Sequence, residues 1–327
     1  MTPAVTTRPV PGSDLRIHPL ALGGNVFGWT ADERQTRAVL DAYAEAGGNH
    51  LDTADVYSAW APGNTGGESE TLIGRWLATR RDRDRMVLAT KGGWDRGLSP
   101  AAIRESAHAS LRRLGVDCID LYYTHRDDPT TPVEEIITTL DELVRAGKIR
   151  HIAASNISAD RLAQSLAFSE RESLARYVAV QPHYNLVERA DYERELAPEA
   201  ARHRLGVIPY YGLASGFLSG KYRPGSPTPQ GARTPDAHRY LATPQGPRVL
   251  AALDLIAADR GVAPATVALA WLAARPQVLA PLASARTPGQ LADLLAAVHL
   301  TLSPRETELL DTASAPATDT PPPTTGP

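Results

Sequence analysis

The feature that most constrains the fold of this chain is a repeated unit of a short apolar strand followed by an amphipathic helix. Strand starts recur near residues 49, 86, 118, 149, 177 and 206, at intervals of about 28–37 residues, which is the length of a βαβ unit. Successive units of this kind favour a parallel sheet. A chain of 327 residues accommodates eight such strands better in a closed barrel than in an open sheet. The pattern therefore predicts an α/β protein with a (β/α)8 TIM barrel.

Additional segments are expected around the barrel. Residues 6–17 are predicted to form a hairpin, and the eighth strand is predicted at 278–282 after two extra helices. The first helix is expected to begin at Thr30 with a capping box to Glu33. Residues 212–247 are rich in Gly and Pro and too long for a bare connection, which predicts a lid or a partly disordered insertion. One domain is expected over residues 1–313, followed by a Pro/Thr-rich disordered tail over 314–327.

Three consecutive predicted strands end on side chains that can carry charge or donate a proton. The first ends at Asp52, with Tyr57 five residues later; the second ends on Lys91 and the third on His125. Because the carboxyl ends of barrel strands form one rim, where catalytic residues of such barrels lie, the four side chains are expected to lie together. Each alone could equally be a turn residue, a loop residue, a solvated strand end or a core histidine. Their order on successive strands favours a joint catalytic role.

These side chains suit the reduction of a carbonyl group. A ketone that is reduced gains a hydride at carbon and a proton at oxygen, and a tyrosine can supply that proton if a nearby cation stabilises its phenolate. Lys91 would be that cation, Asp52 would pair with it and orient it, and His125 would donate a hydrogen bond to the carbonyl oxygen. A metal-dependent barrel hydrolase is disfavoured, because His50, His125 and His183 form no convincing ligand set with nearby carboxylates. No metal is expected.

Composition narrows the cellular context and the partners. A formal net charge of −3 gives no electrostatic reason to bind nucleic acid or an anionic membrane. No apolar run reaches the roughly 18 residues of a spanning helix, and residues 1–10 lack the features of a signal peptide. The single cysteine, Cys118, excludes an internal disulfide and fits a reducing cytoplasm. A cytoplasmic protein with a small-molecule partner is expected, and a homo-oligomer is left open.

Several longer motifs follow one another in a fixed order over about residues 19–311, and together they are far more specific than any one of them. They are Asp-Thr-Ala-Asp-Val-Tyr at 52–57, Gly-Glu-Ser-Glu at 67–70, Ala-Thr-Lys-Gly at 89–92, Asp-Leu-Tyr-Tyr-Thr-His at 120–125, Thr-Pro-Val-Glu-Glu at 131–135, Gly-Lys-Ile-Arg at 147–150 and Ala-Ser-Asn at 154–156.

By these motifs the chain resembles the aldo-keto reductase family, and within it the bacterial branch that is similar to potassium-channel β subunits. The resemblance implies a (β/α)8 barrel without a Rossmann motif and a nicotinamide cofactor laid across the rim. It also implies that Tyr57 is the general acid, with Asp52, Lys91 and His125 as its partners.

The resemblance extends to a cofactor site. Polar residues at two strand ends look like partners of the nicotinamide carboxamide, and an aromatic residue after the next strand looks like the group that stacks on the ring. Residues 213–221 resemble a loop over the pyrophosphate, where glycine permits close backbone approach and lysine can meet a phosphate. Residues 284–290 resemble the adenosine end, where an arginine precedes a helix start. The implied cofactor-binding residues are Ser155, Asn156, Gln181, Tyr210, Leu213, Gly216, Leu218, Lys221, Ser284, Arg286 and Gln290.

Two places depart from the family pattern. Tyr211 and Gly212 stand where the family often has Ser-Pro. Leu294 stands where the family usually has an asparagine at the adenine, which weakens that contact and leaves Asp293 and Gln290 to compensate. Neither departure touches the expected site of hydride transfer.

The expected activity is NADPH-dependent reduction of an aldehyde or ketone to an alcohol, with NAD as the alternative cofactor. Trp29, Trp60 and Trp94 follow strand ends and are predicted to line a pocket for a planar or hydrophobic carbonyl substrate, although such residues also cover interfaces and surfaces. A composition rich in Ala, Arg and Pro suggests a high-GC bacterial gene, which favours a specialised-metabolite ketone, on a polyketide or a deoxysugar. The alternative is a non-catalytic or weakly catalytic nicotinamide-binding subunit of a larger assembly.

Overall fold

The centre of the structure is a closed barrel of parallel strands, which confirms the predicted fold. The computed structural model describes residues 5–223, 225 and 231–316. A short antiparallel hairpin of β1 (Arg8–Pro9) and β2 (Arg16–Ile17) precedes the barrel. The eight barrel strands are β3 (Ala21–Gly23), β4 (His50–Asp52), β5 (Val87–Gly92), β6 (Ile119–Thr124), β7 (Ile149–Ser155), β8 (Tyr177–Gln181), β9 (Gly206–Val207) and β10 (Leu282–Ala283).

Strand pairing runs in chain order from β3 to β9, and β10 pairs with β3 on the other side. The segment just before β10 closes the remaining gap. The backbone N–H of Leu279 donates to the carbonyl oxygen of Val207 at 2.8 Å, and that of Val207 donates to Gln277 at 2.9 Å. In the described part of the chain, each of the eight barrel strands therefore has a neighbour on both sides.

Helices alternate with the strands and cover the outside of the barrel. A π-helical turn over Tyr192–Leu196 precedes α6, and 3₁₀ turns occur at Arg83–Arg85, Ala214–Ser219, Arg239–Ala242 and Ala297–His299. The helices are α1 (Glu33–Glu45), α2 (Glu68–Ala78), α3 (Pro100–Leu114), α4 (Val133–Arg145), α5 (Ala159–Glu172), α6 (Ala197–Arg202), α7 (Thr234–His238), α8 (Gln245–Arg260), α9 (Pro264–Ala273), α10 (Pro288–Ala296) and α11 (Pro304–Ala313).

Apolar side chains form two buried layers. The larger layer lies between the barrel and its helices, where the buried stripe of α4 includes Ile136, Ile137 and Leu140, as the helical period predicts. The smaller layer contains inward-facing strand residues and the apolar side chains of the N-terminal hairpin. Arg8 fixes the hairpin to the closing segment, because its Nη1 donates to carbonyl oxygens of Ala273, Val278 and Leu279 at 3.0–3.3 Å. The hairpin thus covers the end of the barrel opposite the rim.

Three expected boundaries were wrong. Helix α1 begins at Glu33, and its capping box joins Asp32 to Gln35 rather than Thr30 to Glu33. The eighth strand lies at Leu282–Ala283, later than predicted, because only Val278 of the earlier segment bridges to β9.

The third boundary is the start of the predicted C-terminal tail at residue 314, which was placed too early. Ser314 is fully buried, and Arg189 and Gln245 donate hydrogen bonds to its side chain and its carbonyl oxygen. The rest of that prediction, over residues 317–327, lies outside the described residues, as do parts of the 212–247 insertion. Within the part of the chain that is described, no single helix is long and apolar enough to cross a membrane.

Candidate active site

The ends of β4 and β5 bring Asp52 and Lys91 into contact on the inner face of the barrel. Both side chains are fully buried, and the Lys91 ammonium nitrogen lies 2.5 Å from Oδ1 of Asp52. The same ammonium donates to the carbonyl oxygen of Thr53 at 2.8 Å and to the hydroxyl oxygen of Tyr57 at 3.0 Å. Each of the three ammonium protons of Lys91 therefore has an acceptor, and one of these acceptors is the hydroxyl oxygen of Tyr57.

Burial and charge set the protonation states of this group. Burial lowers the pKa of Lys91, but the charge of Asp52, together with the hydrogen bonds to Asp52 and Tyr57, outweighs burial, so the pKa is raised and the ammonium persists. Burial raises the pKa of Tyr57, and the ammonium only partly opposes it. Tyr57 therefore keeps its proton at neutral pH and can act as an acid.

His125 follows β6 and lies beside the phenol. The rings of His125 and Tyr57 are 5.9 Å apart at 74°, and the Nδ1 atom of His125 is enclosed without a hydrogen-bond partner among the described residues. Burial lowers the pKa of His125 well below its usual value, and the charge of Lys91 lowers it further. His125 is therefore a neutral imidazole, which can donate one hydrogen bond without competing for the proton of Tyr57. The structure thus brings the four predicted rim residues together.

The predicted carboxamide partners form a hydrogen-bonded group at the next strand ends. Asn156 has a left-handed backbone with φ 48°, and its amide nitrogen donates to the Ser155 hydroxyl and to the His125 carbonyl oxygen. The hydroxyl of Tyr210 donates to the Asn156 amide oxygen at 2.8 Å. The ring of Tyr210 stacks on His183, with centroids 5.2 Å apart. Amide and aromatic groups are therefore already oriented beside the acid.

Gln181 connects this group to the buried ion pair. Its side-chain nitrogen donates to Oδ2 of Asp52 at 2.8 Å, and its carbonyl oxygen accepts from the Ser155 hydroxyl at 2.8 Å. One N–H of the Gln181 side chain is thus engaged with Asp52, which leaves its second N–H and its amide oxygen for other partners.

In the loop predicted to cover a pyrophosphate, a glycine turn lies beside a lysine ammonium group. Gly216 has φ 91°, and a Cβ atom there would lie 3.2 Å from the Lys221 ammonium nitrogen, so a side chain would crowd the cation. Leu213 is half-buried and precedes this turn. Leu218 was expected to contact the cofactor, but its side chain is fully buried in the main core. Its side chain supports the loop from the core, so a contact with the cofactor would have to come from its backbone.

At the predicted adenosine end, Arg286 and Gln290 are exposed, and Gln290 accepts a hydrogen bond from the backbone N–H of Arg286 at 2.9 Å. Ser284 donates to Oδ1 of Asn25 at 2.7 Å. Leu294 was expected at the adenine position, but it is 3% exposed and belongs to the hydrophobic core. Residue 294 therefore faces the core, and the presence of leucine instead of asparagine there leaves the exposed part of the predicted adenosine site unchanged.

The three predicted pocket tryptophans surround the acid. Trp60 packs edge-on against both Trp29 at 5.5 Å and Tyr57 at 6.1 Å. Trp94 lies on the other side, 4.8 Å from the His125 ring. Trp60 and Trp94 remain 47% and 38% exposed, which is unusual for such large apolar side chains. The acid thus lies between aromatic walls that are open toward solvent.

A match to a known family decides what this arrangement is. The model of the aldo/keto reductase family matches residues 19–315, which include the barrel and all of the rim residues above. The chain belongs to the aldo/keto reductase family. Members of this family are oxidoreductases that generally use a nicotinamide cofactor.

Relatives within the family cover nearly the whole chain. An uncharacterized oxidoreductase, YrpG, of Bacillus subtilis is 34% identical over 323 residues, which span 94% of this chain and 95% of the relative. A probable voltage-gated potassium channel subunit beta of Oryza sativa is 32% identical over 302 residues, spanning 88% and 89%. Norsolorinic acid reductase B of Aspergillus parasiticus is 30% identical over 331 residues, spanning 93% and 82%. These are the proteins to which this aldo/keto reductase is similar.

At the rim of this aldo/keto reductase, sequence reasoning missed Asn25 and Arg233, and it wrongly placed Tyr211 away from the reacting group. Asn25 follows β3, and the strand-end argument that found Lys91 would also have found it. Tyr211, with φ 55°, is 43% exposed and close enough to Tyr57 to affect its ionisation. Arg233 comes from the long insertion and lies over the Trp29 ring at 5.5 Å, where burial lowers its pKa. No local pattern points to Arg233, because only the folded insertion brings it to the rim.

Proposed function

We propose that the protein is an NADPH-dependent reductase of aldehydes or ketones, with Tyr57 as the proton donor. The observation that carries this proposal is the Lys91 ammonium, which is hydrogen-bonded to the buried Asp52 and to the Tyr57 hydroxyl at the same time. A bound nicotinamide would supply the hydride. The residues of the chain would supply the proton and the position of the carbonyl group.

Each residue has a separate part in that reaction. The Tyr57 hydroxyl donates its proton to the carbonyl oxygen as negative charge develops there, and the adjacent ammonium stabilises the phenolate left behind. Asp52 keeps the ammonium protonated and fixed in place. Neutral His125 donates a hydrogen bond to the same oxygen and fixes its direction. Trp29 and Trp60 would cover the reacting group on one side, and a bound substrate would exclude water from the open side.

Three cations would hold the phosphates of the cofactor. Lys221 lies beside Gly216 in the predicted pyrophosphate loop, and Arg286 is exposed immediately before the first turn of α10. Arg233 lies within electrostatic range of Arg286. Because the Arg233 and Arg286 guanidinium groups repel each other, a bound anion would stabilise this pair. We infer that this anion is the phosphate of a dinucleotide cofactor, because the neighbouring amide and aromatic groups suit its nicotinamide ring.

The aromatic walls favour a planar or hydrophobic carbonyl substrate. Trp60 and Trp94 leave large apolar surfaces exposed on both sides of Tyr57, and such surfaces bind flat rings well. The names of fungal relatives, a norsolorinic acid reductase and an aldo-keto reductase called ausK, agree with a ketone of specialised metabolism. We infer a ketone on a polyketide or deoxysugar, reduced in the cytoplasm.

The test is to follow NADPH oxidation by the purified protein against a panel of aldehydes and ketones that ranges from small aliphatic to planar aromatic. Turnover that rises with the aromatic area of the substrate is expected. Tight NADPH binding with no turnover on any carbonyl would contradict the proposal. That result would instead favour a cofactor-binding subunit, a role suggested by the similarity to a channel β subunit.

Arg286 should decide between the two nicotinamide cofactors. NADPH carries an additional phosphate on the adenosine ribose, and a guanidinium at a helix start can pair with it. Replacing Arg286 by Ala is therefore expected to weaken NADPH binding by about 1.5–3 kcal/mol, the scale of a charged hydrogen bond, and to leave NADH binding nearly unchanged. Titration of both cofactors into both proteins measures this.

The matched control is Arg112→Ala, which removes an exposed arginine from the last turn of α3, at the opposite end of the barrel. It should change neither affinity. Equal losses for NADPH and NADH in the Arg286 variant would place this side chain elsewhere than at the ribose phosphate. A wild-type preference for NADH would contradict the cofactor assignment.

A further inference from the structure

A buried cluster of charge lies behind the segment that joins Asp52 to Tyr57. It consists of Asp55 in that segment, Glu70 in α2 and Arg113 in α3, and is called here the acid–arginine cluster. Glu70 is fully buried, and its Oε2 accepts from Nε of Arg113 at 2.6 Å. The proposed reaction uses none of these three side chains.

The first turn of α2 holds the neighbours of both members of the ion pair. Oε1 of Glu70 accepts from the hydroxyl of Thr90 at 2.6 Å, and Thr90 immediately precedes Lys91. Ser69 accepts from the hydroxyl of Thr53, which follows Asp52, and donates to the carbonyl oxygen of Gly24. This explains in physical terms why the Gly-Glu-Ser-Glu motif accompanies the rim residues. It fixes the backbone on either side of them.

Asp55 completes this support from within the segment. Its backbone N–H donates to the carbonyl oxygen of Lys91 at 3.0 Å. Its Oδ1 atom is enclosed and has no hydrogen-bond partner among the described residues. The chain is tightly packed here, because a Cβ atom at Gly66 would lie 3.0 Å from the carbonyl oxygen of Asp55. A change at Asp55 is therefore expected to shift the backbone that leads to Tyr57, two residues further on.

The acid–arginine cluster contains two carboxyl groups, those of Asp55 and Glu70, and one cation, Arg113. Burial raises the pKa of Asp55 to about 6, and the charge of Glu70 raises it more than the charge of Arg113 lowers it. The Ser106 hydroxyl of α3 favours the charged form, and Tyr122 faces the cluster from β6. The Arg113 guanidinium is paired with Glu70 and influences Asp55 only through its charge. The neutral form of Asp55 is the one that fits its surroundings better.

We propose that Asp55 is a positioning residue for Tyr57 and Lys91, and that loss of its proton loosens the segment that carries the acid. The proposal rests on the proposed function, since it describes how the proton donor of that reaction is held. The proposed reaction assigns Asp55 no contact with the substrate or the cofactor. Its effect should therefore appear in kcat and in its pH dependence, and not in the affinity for NADPH.

The first test compares the pH profiles of kcat for the wild type, Asp55→Asn and Asp55→Ala. The wild type should lose activity several-fold as the pH rises through about 6, and the asparagine variant, which mimics neutral Asp55, should lack this inflection. The alanine variant should have low kcat at every pH, because it lacks the packing and the polar contacts. Asp95→Asn, which removes an exposed carboxylate from the loop after β5, is the control and should retain the wild-type profile.

The second test is independent of turnover. Because the pKa of Asp55 is higher in the folded protein than the usual 3.8, the wild type loses stability as the pH rises from about 4 to about 6, and Asp55→Asn does not. The melting temperature of the variant minus that of the wild type should therefore increase between pH 4.5 and 7.5 by about 2–4 °C.

The outcomes separate the two proposals. A melting difference that does not change with pH, or an unchanged inflection in Asp55→Asn, would overturn the role of Asp55. A wild-type protein that reduces no carbonyl compound would instead contradict the proposed function, and the melting experiment would still decide whether Asp55 gains its proton within the folded cluster.

Discussion

Replacing Tyr57 by Phe is expected to lower kcat by about 10²–10⁴-fold, the contribution of a positioned general acid, with little change in NADPH affinity. The substitution removes only the hydroxyl to which Lys91 donates. The ring remains, together with its edge contact to Trp60 and the ammonium 4.7 Å from its centroid. Steady-state kinetics with an accepted carbonyl substrate and a fluorescence titration of NADPH measure the two quantities.

Tyr192→Phe is the matched control for this experiment. Its hydroxyl is also buried, has no hydrogen-bond partner in the described part of the chain, and belongs to the π-helical turn outside the barrel. Removal of this hydroxyl should leave kcat within about twofold, because it contributes no acid to the site. Retention of most activity by the Tyr57 variant would remove Tyr57 from the mechanism.

The buried ion pair should produce the second large effect, on both activity and stability. Lys91→Met leaves the Asp52 carboxylate buried with Gln181 as its remaining side-chain donor, and breaking a buried pair in this way costs about 3–5 kcal/mol of unfolding free energy. The same change removes the cation that stabilises the phenolate, so kcat should fall by about 10³-fold or more. Asp52→Asn should act in the same direction, since it releases the ammonium from its anchor.

A double-mutant cycle tests whether the two residues act as one unit. The combined loss in the Asp52→Asn, Lys91→Met protein should be smaller than the sum of the single losses by about 1–3 kcal/mol. The exposed pair Arg75–Glu33, with side chains 62% accessible, is the control and should show a coupling of about 0–1 kcal/mol. Strict additivity at Asp52 and Lys91 would show that the pair has no joint role.

The fold and the rim were accessible from the sequence because both depend on regular, local patterns. Strand-to-strand spacing predicts the barrel, and the strand-end rule predicts that Asp52, Lys91 and His125 meet. The start of α1 was wrong because two capping boxes were available close together, and Asp32 with Gln35 forms the one that is used. Such competition is settled by a few hydrogen bonds that the sequence alone does not rank.

Other features depend on contacts between distant parts of the chain. Ser314 is ordered because Arg189 and Gln245 reach it, and no pattern near residue 314 predicts those donors. Leu218 and Leu294 lie within loop and helix motifs of the cofactor site, yet tertiary packing turns their side chains into the core. Arg233 lies over the ring of Trp29 although more than 200 residues separate the two in the chain. A motif therefore locates a backbone segment more reliably than it assigns the direction of each side chain.

The closure of the barrel by its last strand has a consequence for the biosynthesis of the protein. Strand β10 pairs with β3, and Arg8 binds carbonyl groups 265–271 residues further along the chain. During synthesis on the ribosome, the open edges of β3 and β9 therefore stay unpaired until most of the chain has been made. Contacts of such long range slow folding, and exposed strand edges invite pairing with other chains. Yield in the cell should depend on slow translation or on chaperones that protect these edges until β10 emerges.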